Sequence, residues 1–252
     1  MEEHDLPPGC GFKMFGIEHI LMLVVIVVLI VAAAFLFRKP SDGGRVIMMR
    51  VIAVLLLFLE VVKIVILAAS GRMDRGYLPL HLCSMAIFIY PVIAFIPAGR
   101  VRDTLAEISV ITLLPAAVCA CVFPDWTMYP ILNFYSLHAF VWHSLQMLFP
   151  ILCVMNGWIS PRVRNLWKST VFLLAYGLVV GLFDWRFSCN YGFLKHPVSG
   201  TPLEWLHGVV GPKLYLVSLL VLATVVNLGM YGVMHLIIDT KTWTRDSSED
   251  VI

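Results

Sequence analysis

The sequence predicts an all-α membrane protein: a bundle of seven transmembrane helices, N-terminus outside and C-terminus cytoplasmic. Three observations carry that expectation. Hydrophobic residues make up 60% of the 252-residue chain and charged residues only 13%, with a mean hydropathy of +0.89. A soluble domain carries nearer a quarter charged residues. The apolar residues form continuous runs rather than an alternating pattern, which selects helices over a barrel. Basic residues, finally, alternate between successive loops in the manner that fixes orientation.

A span needs roughly 20 apolar residues. Seven stretches qualify or nearly do: Ile17–Phe37, Val46–Ala69, Leu78–Ile96, Leu105–Phe123, Ile131–Met155, Trp167–Phe183 and Leu214–Ile238, together forming a single transmembrane domain over residues 1–252. Pro115 interrupts the fourth and Asp184 bounds the sixth. Eleven basic residues fall on one side: Arg38, Lys39, Arg45, Arg50, Arg100, Arg102, Arg162, Arg164, Lys168, Lys241 and Arg245. Six fall on the other: Lys13, Arg72, Arg75, Arg186, Lys195 and Lys213. The richer side is cytoplasmic by the positive-inside rule. The acidic opening, MEEHDLPPGCGFK, lacks the basic region of a cleavable signal peptide.

Several functions are excluded at this level. A net charge of +2 does not argue for nucleic acid. The six cysteines show no CxxC or His-rich spacing, so no metal and no cofactor are expected, and Cys119-Ala-Cys121 reads as small-residue packing. Cys10 and Cys189 share the outer, oxidising compartment, where a disulfide is chemically available. A retinal protein needs a lysine in the middle of its last span, and Lys213 is only at that span's outer edge.

Polar residues gather in the outer half. Charged groups in hydrocarbon are costly, so such a cluster is a functional-site hypothesis. His19 opens the first span beside Glu18. Glu60 and Lys63 lie within the second, three positions apart and able to pair. His81, Cys83 and Ser84 open the third, and Asn133, Ser136, His138 and His143 follow along the fifth. At 100° per residue, His143 shares a stripe with Asn133, Ser136 and Gln146, whereas His138 points away. His143 is therefore the candidate base. Cys83 is the candidate nucleophile, since a thiolate attacks acyl carbonyls well when a base or positive field is near. Counted from the cytoplasmic ends, the two differ by about three residues, ~5 Å of helix rise.

At these residues the chain resembles a known group. The stretches LPLHLCSMAIF (78–88), NFYSLHAFVWHSLQMLFP (133–150) and NYGFL (190–194), with His19, resemble the YwaF-like family of small bacterial integral membrane proteins. That family is related to a human transmembrane acyltransferase that remodels ether phospholipids. The resemblance implies a bacterial cytoplasmic membrane location, Cys83 as nucleophile and His143 as catalytic histidine, seven residues before Pro150. Two departures stand out: His81-Leu82 replaces the acyltransferase's Asn-Pro, and Ser84 replaces the histidine after its cysteine.

The expectation is therefore a membrane-embedded acyltransferase or lipid hydrolase. It acts on an outer-leaflet lipid substrate through a Cys83 thioester, with His143 as base and His81, Ser84, Glu60, Lys63, Asn133, Ser136 and His19 in support. The alternative is a seven-helix transporter or ligand-binding protein using the Glu60, Lys63 and histidine groups as a relay. Transport needs no thiol, and that separates the two.

Overall fold

The computed structural model describes residues 7, 9–37, 42–159 and 161–249, with residues 42 and 238–249 described by backbone alone. Arg38 and Lys39, and the side chains of Lys241 and Arg245, lie outside that description. The described residues form helices and no strand. In chain order these are α1 (Ile17–Leu36), α2 (Asp42–Ala69), α3 (Ala86–Phe95), α4 (Arg100–Ile108), a π segment (Ser109–Leu113), α5 (Leu114–Val122), α6 (Phe134–Met155), α7 (Leu166–Phe187) and α8 (Pro202–Glu249). The α4, π and α5 pieces run on as one helix, Arg100–Val122.

Among the described residues, six helices are long and apolar enough to cross a membrane. The expected third span departs from that pattern. Its helical part is only Cys83–Phe95, opening as a 3-10 turn at Cys83–Met85, while Leu78–Leu82 is not helical. Pro79 supplies the reason: it has no N–H to donate, and it pushes Leu78 toward extended backbone. Leu78 is extended, with φ −67° and ψ 149°.

Two other ends move. The helix expected to stop before Asp184 runs on to Phe187, because one oxygen of the Asp184 carboxylate finds a donor in the loop that follows, where the Tyr191 N–H donates to Oδ1 at 3.0 Å. The last helix begins at Pro202 rather than near Leu214 and breaks at Gly211, whose φ of 72° suits a residue without Cβ.

Of the six long helices, α6 and the α4–α5 unit are the most buried; α1, α7 and α8 leave most of their surface outward. Neighbouring helices satisfy the polar groups that remain. Pro150 cannot donate to the Gln146 carbonyl one turn back, and the Tyr90 hydroxyl of α3 fills that gap at 2.9 Å. Tyr90 also stacks on Phe149, with ring centroids 4.1 Å apart. On α6, His138 Nε2 donates to the Leu59 carbonyl at 3.0 Å and Trp142 Nε1 to that of Leu56 at 3.3 Å, both on α2.

At the end bearing Arg100 and Arg162, one carboxylate gathers three helices. Glu107 of α4 accepts from the Arg162 N–H (3.1 Å), Asn165 Nδ2 (3.0 and 2.9 Å), Lys168 Nζ (3.1 Å) and the Tyr231 hydroxyl (3.2 Å). These donors tie α4 to the start of α7 and to α8. Removing a buried carboxylate from its partners costs roughly 3–5 kcal/mol. Glu107→Ala is expected to lose that much in detergent, with Glu107→Gln, which keeps an acceptor, losing clearly less. Thermal melts of the two variants check this, and equal melting would show that the hub does not hold the helices.

Candidate functional site

The site is built around the turn that opens α3. His81 Nδ1 accepts from the Gly192 N–H at 3.4 Å, leaving the ring proton to Nε2, and the ring packs on Tyr191 and Phe193 with centroids 5.0 and 5.2 Å away. The Ser84 N–H closes back on the His81 carbonyl at 2.9 Å, and Ser84 is buried. Cys83 is half-buried between them as a free thiol. The Tyr176 hydroxyl of α7 donates to the Leu80 carbonyl at 3.0 Å, and the Tyr191 hydroxyl donates to the Arg75 carbonyl. The residue 188–194 loop and α7 thus hold the turn from one side.

His143 lies on the buried face of α6 with Ser136 and Gln146, as the stripe predicts. Its Nδ1 is 2.7 Å from the Ala139 carbonyl. A carbonyl only accepts, so Nδ1 carries the proton and Nε2 is left with a lone pair. Nε2 is buried and has no partner. Trp126 stacks on the ring at 5.3 Å and 14°, and Trp142 meets it edge-on at 5.5 Å and 89°. The arrangement is a neutral base with a fixed tautomer between two indoles. The same vacancy shows that Cys83 Sγ is not hydrogen-bonded to it.

The other expected participants divide. Glu60 and Lys63 do pair, at 2.8 Å, with Glu60 deeply buried, and Lys63 lies 6.0 Å from the Trp142 ring. Lys63 is within electrostatic reach of His81, His138 and His143. Ser136 is buried, with an unpartnered hydroxyl. Asn133 is set apart as the N-cap of α6, its Oδ1 accepting from the Tyr135 N–H at 2.9 Å. His19 is set apart too. The Phe15 N–H donates to its Nδ1 at 3.0 Å, and Nε2–H donates to the Cys121 carbonyl at 2.9 Å. With both nitrogens engaged, His19 fastens α1 to α5 and has no lone pair left for chemistry. Cys10 and Cys189 are free thiols near the Met128 and Phe187 carbonyls, so the disulfide expected as available is not formed.

Sequence reasoning passed over the 123–126 connection. Asp125 lies within electrostatic reach of both His81 and Cys83, and Trp126 stacks on His143. An acid just past the end of the fourth span, on the side where polar residues gather, was the available signal. Asp184 was legible as a polar residue but not as a buried one with a free Oδ2.

Two cavities flank this turn. One is apolar, about 630 Å³, between α5, α7 and α8; the other is polar, about 380 Å³, and is walled by Asp74, Arg75 and the residue 187–191 loop. Leu82 and Gly192 line the first, and their chain neighbours His81 and Tyr191 line the second. The two dipeptide steps, His81–Leu82 and Tyr191–Gly192, form a seam between the cavities; Cys83 follows Leu82 in the chain and itself lines neither cavity. An apolar site of this size is in the range of ligand pockets.

The ion pair gives a stability test. Glu60→Ala leaves Lys63 unpaired in low dielectric and is expected to cost roughly 3–5 kcal/mol. The double variant Glu60→Gln with Lys63→Met is expected to melt higher than Glu60→Ala alone. Indistinguishable melting curves would show that the pair is not held away from water.

No curated protein and no solved structure matches the chain. A model described as the TMEM164 family matches residues 14–231, and with most of its length inside that match, the chain belongs to the TMEM164 family.

Proposed function

We propose that this protein is a membrane-embedded acyl-transfer enzyme acting on outer-leaflet lipid, with Cys83 as nucleophile and His143 as base. The observation that carries the proposal is the seam. An amphiphile with its chain in the apolar cavity and its head in the polar pocket would cross at the His81–Leu82 step, next in the chain to Cys83.

In this mechanism the Cys83 proton passes to His143 Nε2 as sulfur adds to the acyl carbonyl. The tetrahedral adduct collapses, and the lipid alkoxide leaves with the proton from the imidazolium. Cys83 then holds the chain as a thioester. An acceptor hydroxyl, or water, gives its proton to the same nitrogen and attacks the thioester carbonyl, and the thiol is restored. His143 suits this because its Nδ1–H is committed to Ala139, so only one nitrogen takes part. Substrate binding has to bring sulfur and imidazole together, as often happens when catalytic hydrogen bonds tighten in the complex.

In the same proposal the short Cys83–Phe95 helix and its extended entry complete a seventh span. The N-terminus then lies outside, and the protein resides in the bacterial cytoplasmic membrane. The eleven-to-six division of basic residues supports this orientation. An impermeant maleimide is expected to label Cys10 or Cys189 in intact cells, while an epitope at residue 247 stays protected. Access to that epitope from outside would invert the topology.

A second reading, a transporter or ligand-binding protein with an intramembrane relay, is favoured by the position of Lys63 among three imidazoles. The thiol decides between them. An acyl-transfer probe is expected to label Cys83 ahead of Cys119, Cys121 and Cys153. His143→Ala should suppress that labelling, and His138→Ala, whose ring is bonded to the Leu59 carbonyl, should change it much less. Comparative lipidomics of cells expressing wild type or Cys83→Ala is the second measurement. Unchanged lipid turnover in Cys83→Ala would end the thioester proposal and leave the relay.

A further inference from the structure

The geometry points to a polar anchor at the inner end of the apolar cavity, built to hold an oxygen substituent carried part-way along an acyl chain. The inference deepens the acyl-transfer reading and rests on it for the link to Cys83. Two observations make the anchor. Asn227 of α8 and Thr112 of the π segment both line the cavity, at 2% and 4% exposure. Asn227 Nδ2 and Thr112 Oγ1 are both buried without a partner. An amide N–H and a hydroxyl left unpaired in an apolar surround are costly, so a ligand oxygen between them is strongly favoured over plain hydrocarbon.

Their depth separates them from the reacting end. Thr112 precedes Cys121 by nine positions, about 13 Å of helix rise, and Cys121 is within electrostatic reach of Cys83. Asn227 lies one turn before Tyr231, whose hydroxyl reaches Glu107 at the far end. The π segment, a local form often found at functional sites, widens the helix where Thr112 sits and Pro115 follows. Tyr176, also on the cavity wall, has its hydroxyl committed to the Leu80 carbonyl, so it does not compete for the ligand. A chain entering past Leu82 has apolar wall on most sides and this pair of hydrogen-bonding groups further in, toward the Glu107 end. The anchor therefore selects chains with a mid-chain hydroxyl or keto oxygen.

The test uses the full-length Cys83→Ala protein in nanodiscs, which binds without turnover. Two photoactivatable fatty amides, identical except for a mid-chain hydroxyl, are titrated and their cross-linked peptides mapped. The hydroxylated probe is expected to saturate at about tenfold lower concentration, one net hydrogen bond's worth, and to mark α5, α7 and α8. Asn227→Leu and Thr112→Val should each remove that preference without weakening the plain probe, while Thr112→Ser should keep it; thermal melts confirm that the variants fold. Equal saturation by both probes overturns the inference and assigns the two groups to an ordinary buried water. A preference that survives both substitutions overturns it as well. Because Cys83 is absent throughout, this result is independent of whether the thioester forms.

Discussion

One buried carboxylate sets the frame. Glu107 is buried with Ala106 and Ile108 at the end of α4, past that helix's polar first turns, and in low dielectric it has to be compensated by donors from other elements. It finds them on the start of α7 and on α8, so three helices are drawn together at that end. The same helices then part around the apolar cavity. The Glu107 contacts hold the α4–α5 unit, α7 and α8 at one end, and the cavity lies between these helices.

The opposite end follows a different rule. There the backbone departs from helix before α3 and after α7, and each departure is tied by a specific bond. The Tyr191 N–H meets Asp184, the Tyr191 hydroxyl meets the Arg75 carbonyl, and Tyr176 meets the Leu80 carbonyl. Irregular backbone is tolerated at membrane depth only where protein or a polar cavity satisfies it. Here it is satisfied by protein on one side and faces the polar pocket on the other, and the seam of the two cavities lies next in the chain to the candidate nucleophile.

Three imidazoles illustrate how similar residues acquire different roles. His19 has both nitrogens engaged, and His138 gives one to a carbonyl of α2, so each fastens helices together. His143 gives its proton to its own helix and keeps a lone pair between two indoles. Local sequence does not distinguish these cases, because the partner of His19 lies 102 residues away and that of His138 lies 79 away.

Composition and periodicity alone determined that the chain is helical and built of apolar segments, and they placed four of those segments to about a turn. They also placed His143, Ser136 and Gln146 on one inward stripe, since a helix repeats every 3.6 residues whatever surrounds it. What tertiary structure decided was everything set by distant partners. Pro79 delays α3, Asp184 is kept inside α7 by Tyr191, Asn133 is a cap, and Asp125 and Trp126 arrive at the site from a connection with no periodic signal. The cavity, the seam and the free Nε2 of His143 exist only once the helices have packed. A hydrogen bond or a void depends on which groups from remote parts of the chain come within a few ångströms, and no local pattern encodes that.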